Sequence, residues 1–431
     1  MILFARTEKH NGVNVTDQYI VTLKPSVDLS KHLSSVQSLH ARDVARSRSD
    51  TLWRGIIHQY EIYDFQGYAA HMPASTIEQL RKHPDIEDIE PDQIWKATFA
   101  NDDEQDIPPG SSAPATIPAM ARRQIKIPPI VIPPKVPGMT EPLQVDDKAG
   151  YGLGYISHQH IRPGSMGQYV YDKSAGDGTF AYVIGTGINY DHSEFGGRAS
   201  HGYNAFDPEA EDSEDEFGHG TVVAGVIGSQ KYGVAKKCKL IAIKVLHKQT
   251  GSLSRILDGY RWAVTDMRQK KRKQKGVIDV TIYGPVSKAW DRAVNRAAGN
   301  GITTVACAGD DGKETAMSPG SSPTSLTVSA VNWHCEKPKW ANWGADYVHL
   351  WAYGVKCEST WIGSKSATAA KSGTSVAAGY VAGLVIYFKA LAAGDMEDAF
   401  AVKKWMLKYS TPNKAEVPGG KARFAYNGSG K

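Results

Sequence analysis

Two short stretches of small residues carry side chains that could perform nucleophilic chemistry. Ser375 ends the stretch Ser372–Gly373–Thr374–Ser375, and the apolar run Val376–Phe388 that follows predicts a buried helix. His219 lies in Phe217–Gly218–His219–Gly220, at the start of another helix of small residues. A base and a hydroxyl that each open a helix form one of the convergent Ser/His arrangements. Ser375 is therefore predicted as a nucleophile and His219 as its base, although a Ser-Gly-Thr-Ser cluster alone would equally serve as a helix cap.

Apolar strands alternate with amphipathic helices around these two stretches. The predicted strands are Thr179–Ile184, Lys239–Leu246, Val277–Ile282 and Ile302–Ala306, and the predicted helices include Ser254–Met267 and Lys288–Ala298. Such alternation is typical of a parallel sheet covered on both faces. Ligands gather at the carboxyl ends of the strands in such sheets, which is where His219 and the segment around Asp310 are expected.

Three regions of different composition divide the chain. Residues 1–96 read as a small α+β domain, with strands at Tyr19–Leu23, Tyr60–Phe65 and Tyr68–Met72, a break at Gly67 and a helix at Ser75–His83. Residues 97–147 are predicted to be a linker, because ten of the 22 prolines fall between Pro108 and Pro142. Residues 148–431 form the predicted α/β domain.

Bulk composition narrows the function classes. The net charge of +5 over 431 residues is too small to imply a nucleic-acid partner. No apolar run of about eighteen residues predicts a membrane span. The apolar start Met1–Ala5 ends at Arg6, short of a signal-peptide core, so the chain is expected to be intracellular unless it was trimmed before Met1. Four cysteines without CxxC spacing allow two disulfides, require none and disfavour a zinc site.

The two stretches and their surroundings resemble the subtilisin family of serine peptidases, within it the fungal proteinase K-like branch. The resemblance continues through Tyr232–Lys237, Ser359–Gly363 and Ala425–Gly428, and the first region resembles the family's inhibitor prosegment at Tyr19–Lys24 and Leu80–Ile86. It implies a three-layer subtilisin-like α/β fold with a mainly parallel central sheet, preceded by an inhibitor I9-like α+β prosegment that sits in the cleft. Calcium binding is also implied by the family, but no motif here supports a cofactor or metal.

Three positions depart from the family pattern. The family places its triad aspartate in Val-Ile-Asp-Thr-Gly, whereas this chain has Val183–Ile184–Gly185–Thr186–Gly187. Asp310 stands where the family has its oxyanion-hole asparagine, and an ionised carboxylate would repel the oxyanion. The substrate-pairing strand Ser-Leu-Gly-Gly is replaced by Thr281–Ile282–Tyr283–Gly284, so Tyr283 is expected to crowd the groove, while the substrate-side Asn342 is retained.

Other acidic groups near His219 are alternatives for the missing carboxylate. Asp191 lies six residues after Gly185 and Asp215 lies four residues before His219, but neither occupies the strand-end position. The acidic segment Glu209–Glu216 is read as an exposed loop, with a raised histidine pKa or a bound cation as the alternative.

Three functions remain open on these observations. The first is a subtilisin-like peptidase homologue with the His219/Ser375 dyad and weak or no endopeptidase activity. The second is a repurposed catalyst that performs acyl transfer or cyclisation on a small molecule in the same pocket. The third is a binding module whose cleft stays occupied by its own prosegment. The expected partners are accordingly the prosegment and a peptide or small-molecule ligand, with no nucleic acid and no membrane.

Overall fold

The computed structural model describes residues 14–46, 51–101, 136–160, 165–315 and 317–431. The first region is a small α+β unit of four strands and two helices. Its elements are β1 (Asn14–Leu23), α1 (Leu29–Arg46), β2 (Gly55–Ile62), β3 (Phe65–His71), α2 (Ala74–Leu80) and β4 (Ile86–Lys96). Apolar side chains alternate along these strands, which gives the sheet one face against α1 and α2 and one face against the rest of the protein.

The larger region alternates strands and helices, as its sequence pattern predicts. Its strands are β5 (Gln144–Asp146), β6 (Tyr169–Tyr171), β7 (Phe180–Gly185), β8 (Ala199–Asn204), β9 (Lys239–Lys244), β10 (Thr250–Ser252), β11 (Gly276–Val280), β12 (Thr304–Cys307), β13 (Leu326–Val331), β14 (Leu350–Tyr353), β15 (Cys357–Thr360), β16 (Thr368–Lys371), β17 (Thr411–Val417) and β18 (Gly420–Phe424). Its helices are α3 (Tyr151–Ser157), α4 (His219–Gly228), α5 (Leu253–Gln269), α6 (Lys288–Gly299), α7 (Thr374–Leu391) and α8 (Ala399–Tyr409).

A nine-stranded sheet forms the middle layer, in the order β17-β18-β14-β13-β12-β11-β7-β9-β8. Every pair from β14 to β8 is parallel, and the β17/β18 hairpin adds an antiparallel edge. Helices α4 and α7 pack on one face, and α5 and α6 pack on the other. These layers are the predicted three-layer α/β arrangement with a mainly parallel sheet, preceded by an α+β unit.

The two units share a sheet and a core. Strand β4 pairs antiparallel with β10 of the larger unit, so β10 becomes the edge of the five-stranded sheet. Two carboxylates of β4 bond the starts of the helices beneath: Asp92 accepts from the backbone N–H of Ser254 at 3.0 Å, and Glu90 accepts from that of Lys288 at 3.1 Å. Negative charge at helix N-termini is stabilising, so these contacts fix the first unit above α5 and α6.

Helix α7 carries the candidate nucleophile and is the one described helix long and apolar enough to cross a membrane by length and composition. It has 18 residues and a mean hydropathy of 1.4, and 89% of it is buried inside the protein. That degree of burial is typical of the core helix of a globular fold. None of the four cysteines, which all lie among the described residues, forms a disulfide. The segment Met1–Ala5 lies outside the described residues.

Candidate active site

The serine predicted as nucleophile lies in the first turn of α7. Ser375 is buried, and its Oγ donates a hydrogen bond to the carbonyl oxygen of Thr281 at 2.9 Å. Thr281 follows β11, the strand next to β7 in the sheet, so the hydroxyl lies at the carboxyl ends of the central strands. In this conformation the Ser375 proton points at a backbone carbonyl and not at an imidazole.

His219 is the first residue of α4 and is fully buried. Neither Nδ1 nor Nε2 has a hydrogen-bond partner among the described residues. Burial lowers the pKa of His219 to about 4, and the nearby Asp215 carboxylate opposes that shift without overcoming it. The acidic segment therefore does not raise the histidine pKa, contrary to the alternative considered for it. The imidazole is neutral near pH 7, but no carboxylate among the described residues bonds to it.

The strand-end position of the triad carboxylate is occupied by Gly185, the last residue of β7. A Cβ atom built on Gly185 would stand 4.0 Å from the Cα of Gly220, the neighbour of His219, and would meet nothing closer. The backbone at this predicted triad position therefore has room for a Cβ atom beside the histidine.

Neither alternative carboxylate replaces it. Asp215 accepts four hydrogen bonds, from the backbone N–H groups of Phe217, Gly218 and Thr221 and from the Thr221 hydroxyl, all at 2.7–3.0 Å. Those bonds hold the start of α4. Asp191 is exposed and pairs with the ammonium group of Lys365 at 3.1 Å. Both acids are thus committed elsewhere.

Asp310 and Tyr283 meet beside the nucleophile. Oδ1 of Asp310 accepts from the backbone N–H of Thr374 at 2.8 Å, and the backbone N–H of Asp310 donates to the Tyr283 hydroxyl at 3.0 Å. The Tyr283 ring lies about 3 Å from where a Cβ on Gly309 would stand, so it fills the gap between the segment after β11 and the segment after β12. The predicted crowding thus affects a side-chain pocket, whereas the backbone of Tyr283 still pairs with Lys96.

The other residues predicted to bind substrate have different placements. Asn342 is buried behind the Asp310 loop: its Nδ2 donates to the Ala308 carbonyl, and its Oδ1 accepts from the backbone N–H groups of Asp311 and Lys313, each at 3.0 Å. Asn342 therefore holds the loop in place. Ile282 points into the core with α5 and α6. Gly284 lies directly under the indole of Trp95.

Residues 95–101, here called the strap, run from β4 through this groove. Lys96 pairs with both Thr250 and Tyr283, one on each side. Further along, the backbone N–H of Ala97 donates to the Gln249 carbonyl and that of Ala100 donates to the Ser372 carbonyl, each at 2.9 Å. This is recognition of an extended segment by strand addition. The sequence prediction placed the start of a linker at residue 97, but residues 97–101 lie in the cleft.

The middle of the strap covers the candidate catalytic residues. The Thr98 side chain lies beside the Tyr283 hydroxyl, and the Phe99 ring lies 5.1 Å from the His219 ring, centroid to centroid. Thr98 therefore lies on the Tyr283 side of the groove and Phe99 on its His219 side. Sequence reasoning missed this role because nothing in Ala97–Thr98–Phe99 distinguishes a bound segment from a loop.

Phe99 occupies an aromatic pocket on the histidine side of the groove. Its ring stacks on Phe217 at 6.2 Å and packs against Trp361 at 6.0 Å, centroid to centroid. The ammonium of Lys371 lies 4.9 Å from the Phe99 centroid and 4.5 Å from that of Trp361. Aromatic pairing and a cation over a ring each contribute about 0.5–1.5 kcal/mol, so Phe99 anchors the strap.

A buried acid beneath α7 was also missed. Asp279 lies within β11 and is fully buried, and its Oδ2 accepts from the Thr281 hydroxyl at 3.3 Å. Burial raises the pKa of Asp279 well above its ordinary value, because an apolar environment disfavours the charged carboxylate. The sequence did carry a signal for Asp279, because an acidic residue is unusual within an apolar run such as Val277–Ile282.

The lowered pKa of His219 predicts an acid-dependent loss of stability. The folded pKa of His219, about 4, lies below the ordinary histidine value of 6.5, so the unfolded chain binds a proton that the folded chain does not. The stability that comes from keeping His219 neutral is fully present above pH 6.5. It is lost as the pH falls towards 4, which lowers the free energy of unfolding by on the order of 3 kcal/mol. Urea unfolding of the wild type and of His219→Gln between pH 7 and 4 measures it: the wild type should lose more stability. Parallel pH profiles would contradict the prediction.

Comparisons with known proteins agree with this geometry. Residues 176–425 match the subtilase family, Peptidase S8, and residues 18–98 match peptidase inhibitor I9. The alkaline proteinase of Hapsidospora chrysogena is 36% identical over 96% of this chain and 93% of its own length. Alkaline protease 1 of Aspergillus clavatus is 34% identical over 98% and 94%. A crystal structure of a cold-adapted subtilisin-like serine proteinase superposes with a TM-score of 0.59 at 29% identity, covering 65% of this chain and 98% of that one.

Proposed function

The chain belongs to the subtilase family of serine peptidases, and from that premise we propose that it has weak or no endopeptidase activity and keeps its prosegment in the cleft. The observation that carries the proposal is the isolation of His219, whose two ring nitrogens lack partners among the described residues. A triad histidine needs a carboxylate to hold its tautomer and to stabilise its charged form. Gly185 supplies none, and Asp215 is engaged at the start of α4.

The oxyanion side supports the same conclusion. The negative charge of a tetrahedral intermediate would develop beside Asp310, whose carboxylate accepts a hydrogen bond from Thr374 instead of donating one. Only a protonated Asp310 could donate a hydrogen bond to the oxyanion, and an ionised one would repel it.

Prosegment retention follows from the same defects. Family members of this architecture release the prosegment by cutting themselves, whereas this chain holds residues 97–101 by backbone bonds to Gln249 and Ser372. Phe99 adds side-chain contacts over His219. A cleft that cannot cut its bound strap stays occupied. Peptide substrates then cannot enter the cleft, and the residues there would not cleave them if they did.

The mass of the purified full-length protein tests the proposal. We expect one intact chain of 46.9 kDa for both the wild type and Ser375→Ala. A cut made by a host protease would appear in both proteins. A wild type that loses its prosegment while Ser375→Ala stays intact would overturn the proposal, because the dyad would then be cleaving a peptide bond.

A further inference from the structure

A cluster of two histidines and one aspartate lies in the first unit, far from the nucleophile along the chain. His32 of α1, His83 and Asp85 place their ligand atoms within 4.8 Å of one another. It is the one such group of three His, Cys, Asp or Glu side chains among the residues that the structure describes. We propose that His32, His83 and Asp85 bind a divalent transition-metal ion of the zinc type.

The distances within the cluster fit shared coordination. Oδ2 of Asp85 lies 3.0 Å from Nδ1 of His32 and 3.6 Å from Nδ1 of His83. Ligand atoms that are about 2.0–2.1 Å from a tetrahedral zinc ion lie roughly 3.3 Å apart, so both distances need to change by only a few tenths of an ångström. Two imidazoles and one carboxylate are a ligand set of the kind zinc takes when a fourth position is left to water.

Surrounding groups orient the three ligands, and the site remains accessible to an ion from solvent. Nε2 of His32 lies 3.4 Å from the hydroxyl of the buried Tyr68, so a His32 that binds metal through Nδ1 can donate its remaining N–H there. The His32 side chain is shielded from solvent, while His83 and Asp85 are about one-third exposed. All three line a cavity of about 480 Å³. Lys31 lines it too, but its ammonium is 3.5 Å from the Asp28 carboxylate, which offsets its charge.

Such an ion would connect the two halves of the first unit. His32 belongs to α1, whereas His83 and Asp85 lie between α2 and β4, the strand that continues into the strap. A metal that binds only the folded unit stabilises it in proportion to the logarithm of metal concentration over Kd. The proposal does not depend on whether the chain is a peptidase.

Zinc binding to the full-length chain, free of any affinity tag, tests the proposal. Calorimetric titration with Zn²⁺ should give one equivalent bound, and titration with Co²⁺ should give the visible absorption of a tetrahedral complex. His83→Gln removes a partly exposed ligand and should weaken Zn²⁺ binding at least about 10-fold, as should Asp85→Asn. Mg²⁺, which prefers oxygen ligands, should not bind there.

The matched control is His247→Gln. His247 also pairs with a carboxylate, Glu216 at 3.2 Å, but belongs to no cluster of three ligands in the described chain. This variant should bind Zn²⁺ as the wild type does. Absence of stoichiometric Zn²⁺ binding to the wild type, or binding that His83→Gln and Asp85→Asn leave unchanged, would overturn the proposal.

Discussion

The double variant Gly185→Asp/Asp310→Asn is expected to cleave its own chain between Thr98 and Phe99. The backbone at position 185 accepts a Cβ atom without a clash, because the nearest atom is the Cα of Gly220, next to His219, at 4.0 Å. An asparagine at position 310 keeps the oxygen that accepts from Thr374 N–H and replaces the second oxygen with a donor. The strap already presents the bond, so no substrate has to enter.

The expected gain is large. In subtilisin, a member of this same family, removing the triad carboxylate costs about 3 × 10⁴ in kcat. Removing the oxyanion asparagine of subtilisin costs about 10²–10³. These factors need not multiply, and we expect the double variant to cut at least about 10³-fold faster than the wild type. Time-resolved intact-mass spectrometry gives the rate, and N-terminal sequencing of the product should begin at Phe99.

The triple variant with Ser375→Ala is the control, and it should remain intact. The single variants separate the two defects, with Gly185→Asp expected to give the larger gain. A double variant that stays whole would show that Tyr283, which fills the side-chain pocket next to Thr98, limits the chemistry more than the missing triad carboxylate does. Cleavage at a bond other than Thr98–Phe99 would contradict the register of the strap.

Phe99→Ala is expected to loosen the strap without unfolding the protein. The ring of Phe99 contacts Phe217, His219 and Trp361, and its loss removes about 1–3 kcal/mol of aromatic and cation contacts. Each 1.4 kcal/mol changes the equilibrium constant for opening of the strap about tenfold. Amide hydrogen exchange at Ala97 and Ala100 should therefore accelerate roughly 10–100-fold. Hydrogen exchange read by mass spectrometry on the peptide that covers residues 95–101 measures it.

Two comparisons make this result specific. Phe400→Ala removes a phenylalanine that is 57% exposed and lies outside the groove, and it should leave exchange in the strap unchanged. Lys371→Met keeps most of the side-chain stem but loses the ammonium over the Phe99 and Trp361 rings, so its effect should be smaller than that of Phe99→Ala. Equal exchange in Phe99→Ala and the wild type would mean that the backbone bonds alone hold the strap.

Apolar periodicity and the family resemblance predicted the architecture of the larger unit well. The predicted strand Thr179–Ile184 is β7, and the predicted helices Ser254–Met267 and Lys288–Ala298 are α5 and α6 with nearly the same ends. Strands buried on both faces carry long apolar runs, so their sequence signal is strong. Predictions that depend on one or two residues were less reliable.

Two errors in the first unit show why. Gly67 was predicted to break a strand pair, but it lies inside β3, where a Cβ would come within 2.5 Å of the Val21 carbonyl. Glycine is needed there for close approach, and the actual turn is at Tyr63, which has a φ of 56°. Helix α1 was not predicted because its sequence is mostly polar, although Leu33 and Val36 share its buried face.

The candidate site was predicted in its residues but not in its connections. Sequence alone indicated Gly185, Asp310 and Tyr283 as departures from the family pattern. It could not indicate that Asp215 is engaged by four donors, or that Phe99 covers His219, because both facts depend on side-chain directions and on segments far apart in the chain. Such contacts are set by tertiary packing and not by local periodicity.

The placement of the Tyr283 ring has a consequence for chemical proteomics. Arylsulfonyl fluorides that label serine hydrolases need space for an aromatic group next to the reactive hydroxyl. In this protein Tyr283 fills the gap between the segments that follow β11 and β12, with its hydroxyl bonded to Asp310. A lack of labelling by such reagents would therefore report on the shape of the groove and would not measure the intrinsic reactivity of Ser375.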